Sequence, residues 1–273
     1  MMQRASAFAS AITMTGGLWR QDGPARFAHE IRSSLQGMRP YEEMLTAAAQ
    51  ETLPEGHYER AAQMALAASV NPFIQFAREA RSLSEFARLN MAFMLHAPLP
   101  FRTFVDAHGR SRRIRIGQHN YPDIRGNHEL TVHLLGAALK WIPRQPTIAS
   151  RGSLSLLALG RYLNVDRGIL GEVLECLEGQ PDLKPVDLGR SLGLMPHQLA
   201  RMLRPLGVNA SQLREVAMLQ AATRLMVGPS SLTEIAHLVG YADAAHLSRS
   251  FTRSTGVPPS QMRPPPQATS SNG

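Results

Sequence analysis

Ser231-Leu-Thr-Glu-Ile-Ala-His-Leu-Val-Gly240-Tyr-Ala-Asp-Ala-Ala-His-Leu-Ser-Arg-Ser-Phe251 reads as two short helices hinged at a glycine. Ser231 followed three residues later by Glu234 is a capping box, in which each side chain satisfies a backbone N–H of the first turn. Ile235 and Val239 form the inner face of the first helix, and Ala236 is small enough to let a crossing helix approach. Gly240 supplies the left-handed residue that closes a helix, and Asp243 is placed to cap the next. Leu247 and Phe251 turn that second helix back onto the first.

The same logic runs through Pro185-Val-Asp-Leu-Gly-Arg-Ser-Leu-Gly193-Leu-Met-Pro-His-Gln-Leu-Ala-Arg-Met-Leu203. Pro185 suits a first helical turn, Leu188 and Leu192 share a face, and Gly193 makes the turn. Pro196 starts a second helix with Leu199, Met202 and Leu203 inward. A helix, a sharp glycine turn and another helix form a helix-turn-helix. The unit is duplicated. Leu188, Gly189, Leu192 and Gly193 lie 47 positions before Ile235, Ala236, Val239 and Gly240. One extra residue after the glycine then brings Leu199, Arg201 and Leu203 onto Leu247, Arg249 and Phe251. Between the copies, Ser211 to Met226 reads as a helix with Leu213, Met218, Ala222, Leu225 and Met226 inward. At about 1.5 Å per residue it spans roughly 24 Å. Such a spacer holds two recognition helices about one DNA turn, roughly 34 Å, apart.

Gly189-Arg-Ser-Leu-Gly193 also matches the nucleophile elbow, but the elbow needs a strand before its serine and here a helix is expected, so no enzyme is read from it. A single cysteine, Cys176, excludes a disulfide framework and cysteine-based zinc clusters, and the histidines show no metal-ligand spacing, so neither metal nor cofactor is expected. Lys and Arg number 29 against 21 Asp and Glu, a net charge of +8, which favours polyanionic partners. Ala5 to Trp19 is too short and too polar for a membrane span or a secretion signal, which places the chain in the cytoplasm with no membrane partner.

At 273 residues the chain has the length of two domains. Residues 25 to 95 carry helical periodicity through Phe27, Ile31 and Leu35, then Met64, Leu66 and Val70, then Leu83, Phe86, Leu89 and Phe93. Pro40, Pro54 and Pro72 punctuate it. Ser82 or Ser84 is a candidate N-cap, Ser82 with Glu85 as a capping box. Phe101 to Ile116 alternates as a short β-hairpin turning near Gly109. Its Arg110, Arg112, Arg113 and Arg115 are either a solvated face or an anion contact. Residues 129 to 142 and 154 to 178 read as further helices, with a boundary near Gly179-Gln180-Pro181.

Gly240-Tyr-Ala-Asp-Ala-Ala-His-Leu-Ser-Arg-Ser-Phe-Thr-Arg-Ser-Thr-Gly256-Val-Pro-Pro-Ser-Gln-Met-Arg263, with the order of elements before it, resembles the AraC/XylS family of bacterial transcription regulators. The resemblance covers 181 to 263. It implies a sequence-specific transcription regulator, usually an activator, that binds double-stranded DNA and recruits RNA polymerase. A small-molecule effector and a second copy of the chain are further candidate partners. By position, the family's base-reading sites fall on His197, Ala200 and Arg201 in the first unit and on Ala244, Ala245, His246 and Arg249 in the second. An arginine fork can hold guanine by two hydrogen bonds. Gln198, Arg204, Ser248 and Arg253 are placed for phosphates. The chain departs from the family in two places. Ala244 and Ala245 stand where polar readers are common, and Ala217 stands where the connecting helix usually has arginine.

The expected organisation is therefore mostly α. A flexible segment (1–24) precedes a mainly helical effector-sensing or dimerisation domain with a short β-hairpin (25–178). An all-α double helix-turn-helix domain (181–263) and a disordered tail (264–273) follow. Phe86, Phe93, Phe101 and Phe104 are candidates for lining an apolar effector pocket or simply for core. The alternative function is a protein-binding adaptor with weakened DNA specificity, motivated by Ala244 and Ala245.

Overall fold

A computed structural model describes residues 23–36, 70–72, 75, 76, 80, 82–96, 101–108, 110–115, 136 and 156–262. The segments expected at 1–22, most of 129–142 and the tail from 264 lie outside the described residues. In chain order the elements are α1 (Gly23–Gln36), α2 (Leu83–His96), β1 (Phe101–Val105) and β2 (Ser111–Arg115), α3 (Leu156–Tyr162), α4 (Gly168–Gly179), α5 (Pro185–Ser191) and α6 (Pro196–Leu203). A 3-10 turn (Arg204–Leu206), α7 (Ala210–Met226), α8 (Leu232–Leu238), α9 (Ala244–Thr255) and α10 (Pro259–Met262) complete them. α1 thus begins at Gly23, inside the segment expected to be flexible.

α7 is the centre of the molecule. Asn209 caps it in a reciprocal box, its Oδ1 accepting from the Gln212 N–H at 2.9 Å and its N–H donating to Gln212 Oε1 at 3.0 Å. No glycine or proline interrupts the 17 residues that follow. Leu213, Val216, Ala217, Met218, Leu219, Ala222 and Met226 are buried around nearly its whole circumference, so it has no broad solvent face. α1, α3, α4, α5, α6, α8 and α9 all pack against it. Leu225, expected inside, is 36% exposed, because it faces out between these neighbours.

α1 presents Phe27, Ile31 and Leu35, all buried at helical spacing, to α7 and α9. The Ser254 hydroxyl of α9 donates to the Ser34 carbonyl of α1. Phe76 meets Phe251 edge-on at 5.8 Å, and the Gln75 amide donates to the Gln220 carbonyl at 3.3 Å. Packing therefore continues across the Gly179–Pro181 region, and the described hydrophobic residues form one core.

The hairpin pairs antiparallel with Phe101 opposite Arg115 and Phe104 opposite Arg112. Asp106 builds its turn by accepting from the N–H groups of His108 and Arg110 and from the Arg110 guanidinium at 2.7 Å. These donors, the Arg110 backbone first, hold the Asp106 carboxyl below the usual range. The hairpin sits on α2, where Asn90 Oδ1 accepts from the Val105 N–H at 2.9 Å. Ser82, not Ser84, caps α2. Phe86 and Phe93 of that helix belong to the core. The helical stretch expected over 154–178 consists of two helices, α3 and α4. Asn164 adopts φ 55° and the Val165 N–H bonds back to the Gly160 carbonyl, which ends α3 and reverses the chain into α4.

The shared core predicts that Ile31→Ala, a change in α1, lowers the stability of the C-terminal helices by about 2–5 kcal/mol. Urea denaturation followed by amide protection in α9 measures this; unaltered protection would mean that the two parts fold separately.

Candidate nucleic-acid interface

The two helix pairs are closed by the same hydrogen bonds. In the first, the Leu194 N–H donates to the Gly189 carbonyl at 2.8 Å; in the second, Tyr241 donates to Ala236 at 2.8 Å. Gly193 and Gly240 take φ of 67° and 85°, a region that costs a side-chain-bearing residue energy. A side chain at Gly189 would press on the Leu194 carbonyl, so the small residue expected at the crossing is required. The extra residue of the second copy falls in the turn, after which Pro196 and Ala244 are the first helical residues of α6 and α9.

Capping differs between the copies. α8 has the full box, with Ser231 and Glu234 bonded reciprocally at 3.2 and 2.7 Å. α9 is capped by Asp243, whose Oδ1 accepts from the His246 N–H at 2.6 Å. At α6 the Gln198 side chain folds back to accept from the Met195 N–H at 2.8 Å. Gln198, expected at a phosphate, therefore has its amide oxygen engaged, while its NH2 group is left to donate.

Leu199, Leu203, Leu247 and Phe251 are buried and seat the two second helices. Met202, expected beside them, is 43% exposed, because α6 turns that side away from the core. His197, Ala200, Arg201 and Arg204 are exposed in the first unit, as are Ala245, His246 and Arg249 in the second; Ala244 and Ser248 are half-buried. Arg201 and Arg249 occupy the repeat-equivalent position, and neither has a hydrogen-bond or ion-pair partner among the described residues. Arg253 differs. Its guanidinium is held by Glu215 of α7 and lies 3.2 Å from the Ser250 hydroxyl, which itself donates to Glu215 at 2.7 Å.

Residues 188–264 match the family model for a helix-turn-helix domain. This is the AraC-type C-terminal DNA-binding domain. No curated protein and no solved structure matches the chain. Ser191 of the elbow-like pattern ends α5 with its hydroxyl bonded to the Leu188 carbonyl at 2.9 Å. Among the described residues no helix is long and apolar enough to cross a membrane. Ala217, where the AraC-type connecting helix usually has arginine, is buried and borders a cavity of about 20 Å³ with Leu156, Leu177 and Pro181. α3 and α4 pack against α7.

Sequence reasoning missed the polar cluster behind the second unit: Asp182, Arg214, Glu215, Tyr241, Ser250 and Arg253. Its members are scattered along the chain and meet only when α7 and α9 pack. Tyr241 and Ser250 are its buried members; the Tyr241 ring stands edge-on to His246 at 5.1 Å, and its hydroxyl has no hydrogen-bond partner among the described residues. Burial pushes the phenol up to about 12; Glu215 adds to the shift, while Ser250, Arg253 and Arg214 oppose it. The folded chain therefore holds this proton to higher pH than the unfolded chain, whose tyrosine titrates near 10. Its contribution is fully present below about pH 10 and is lost as pH rises from 10 towards 12. Tyr241→Phe is expected to remove that alkaline loss and to be near neutral at pH 7; urea midpoints at pH 9 and 11 test it, and an unchanged alkaline slope would refute the assignment.

Proposed function

We propose that the protein is a transcription activator that reads adjacent major-groove segments of one DNA site with α6 and α9. The observation that supports this reading is the duplication itself: two units closed by equivalent hydrogen bonds, each presenting an unpaired arginine, Arg201 or Arg249, at the same position. In the proposed complex these arginines take guanine in the major groove, with His197 and His246 beside them. Arg204 and Ser248 bind phosphates, and Gln198 does so through its NH2 group. Ala200, Ala244 and Ala245 offer only methyl contacts, so the second unit depends more on Arg249, His246 and DNA shape. Arg253 acts on DNA only indirectly, through its hold on α9.

A gel-shift titration against the chain's own upstream region and a random duplex tests this. Arg201→Ala and Arg249→Ala should each cost about 1–3 kcal/mol on the specific site, with a smaller loss on random DNA. Both should change folding stability by less than about 0.5 kcal/mol, since both side chains are exposed and neither has a hydrogen-bond or ion-pair partner among the described residues. Equal affinity for both duplexes at moderate salt would instead support the adaptor reading, which the methyl-only start of α9 favours.

A further inference from the structure

The cluster behind the second unit joins three parts of the chain that must keep fixed relative positions if two helices are to enter one duplex. Arg214 and Glu215 are adjacent on α7 but point to different units. The Arg214 Nε–H donates at 2.9 Å to the carbonyl of Asp182, in the turn that leads into α5 and so into the first unit. Glu215 accepts from Ser250 and pairs with Arg253, both on α9 of the second unit. The two units also touch directly. A Cβ added at Gly240 would collide with the Asp182 side chain, so the leading turn of the first unit lies against the hinge glycine of the second. Glycine is needed at 240 twice over, for its positive φ and for this approach.

We propose that Arg214 and Glu215 are positioning residues that fix the base-pair spacing at which the two units read DNA. This rests on the reading of α6 and α9 as recognition helices. One exposed ion pair contributes little to stability, because solvent screens it and both side chains lose freedom. Geometry is another matter. Arg214 and Glu215 set the two units against one buried, capped helix, and loosening either lets one unit pivot while the core stays intact. Inserting one base pair displaces the second half-site by about 3.4 Å and rotates it by roughly 35°. A rigid joint cannot follow that movement, whereas a loosened one can.

The experiment selects binding sites from a random duplex pool with the full chain, with Arg214→Ala and with Glu215→Gln. Arg214→Lys serves as a conservative variant that still donates to a carbonyl. The wild-type chain should enrich two half-motifs at one spacing and lose about tenfold in affinity when one base pair is inserted between them. Arg214→Ala and Glu215→Gln should enrich the same half-motifs at several spacings and lose only about threefold on the inserted site. Arg214→Lys should restore the single spacing. Should Arg214→Ala fail to fold, Glu215→Gln, which keeps the Ser250 hydrogen bond, decides the matter. Variants that keep the wild-type spacing and penalty would overturn the proposal, as would a wild-type chain that already tolerates several spacings. If the wild-type chain enriches no motif, the DNA-reading function itself fails, which is a different result.

Discussion

The connecting helix α7 is enclosed on nearly every side, and the placement of both helix-turn-helix units follows from that burial. Leu213, Val216, Leu219, Ala222 and Met226 lose almost all contact with water to neighbours drawn from both halves of the chain. Fully burying a Val, Leu or Met side chain is worth about 1.5–3 kcal/mol. Sliding or rotating α7 would forfeit several such contacts at once. A helix held this firmly is a suitable frame for two reading heads.

Enclosure also bears on Ala217, one of the chain's departures from the usual AraC-type pattern. α3 and α4 pack on that side of α7, and Ala217 is buried there beside a small pocket. On another side α1 and Phe76 cover the back of α9, where Phe251, Ser254 and Thr255 are buried. The exposed edge of α9 with Arg249 and the covered edge with Phe251 belong to one short rigid helix. Charge follows the same division: Arg201 and Arg249 stand free, while Arg253 is drawn to Glu215.

Much of this was legible in the residues. The hinge glycines, Asp243 and the Ser231–Glu234 box act within a few positions of themselves, so their geometry is written locally. The hairpin was legible for the same reason, since alternating residues flank a tight turn. Periodicity misled where it assigned an inward side without knowing the neighbours. Met202 and Leu225 carry apolar side chains at plausible helical positions, but no helix among the described residues covers them. Residues 154–178 read as helical throughout, although asparagine is, after glycine, the residue that most readily closes a helix left-handed, as Asn164 does.

Local chemistry along the chain was enough to determine that two like helix pairs form and where each begins and turns, because caps and glycine turns act over a few residues. Which surfaces those pairs share was decided only by folding. The meeting of Arg214 with Asp182, of Glu215 with Arg253 and of α1 with α9 joins residues from 32 to 220 positions apart. Contacts at that range are selected by how buried surfaces fit together in three dimensions, and no short-range pattern records that fit.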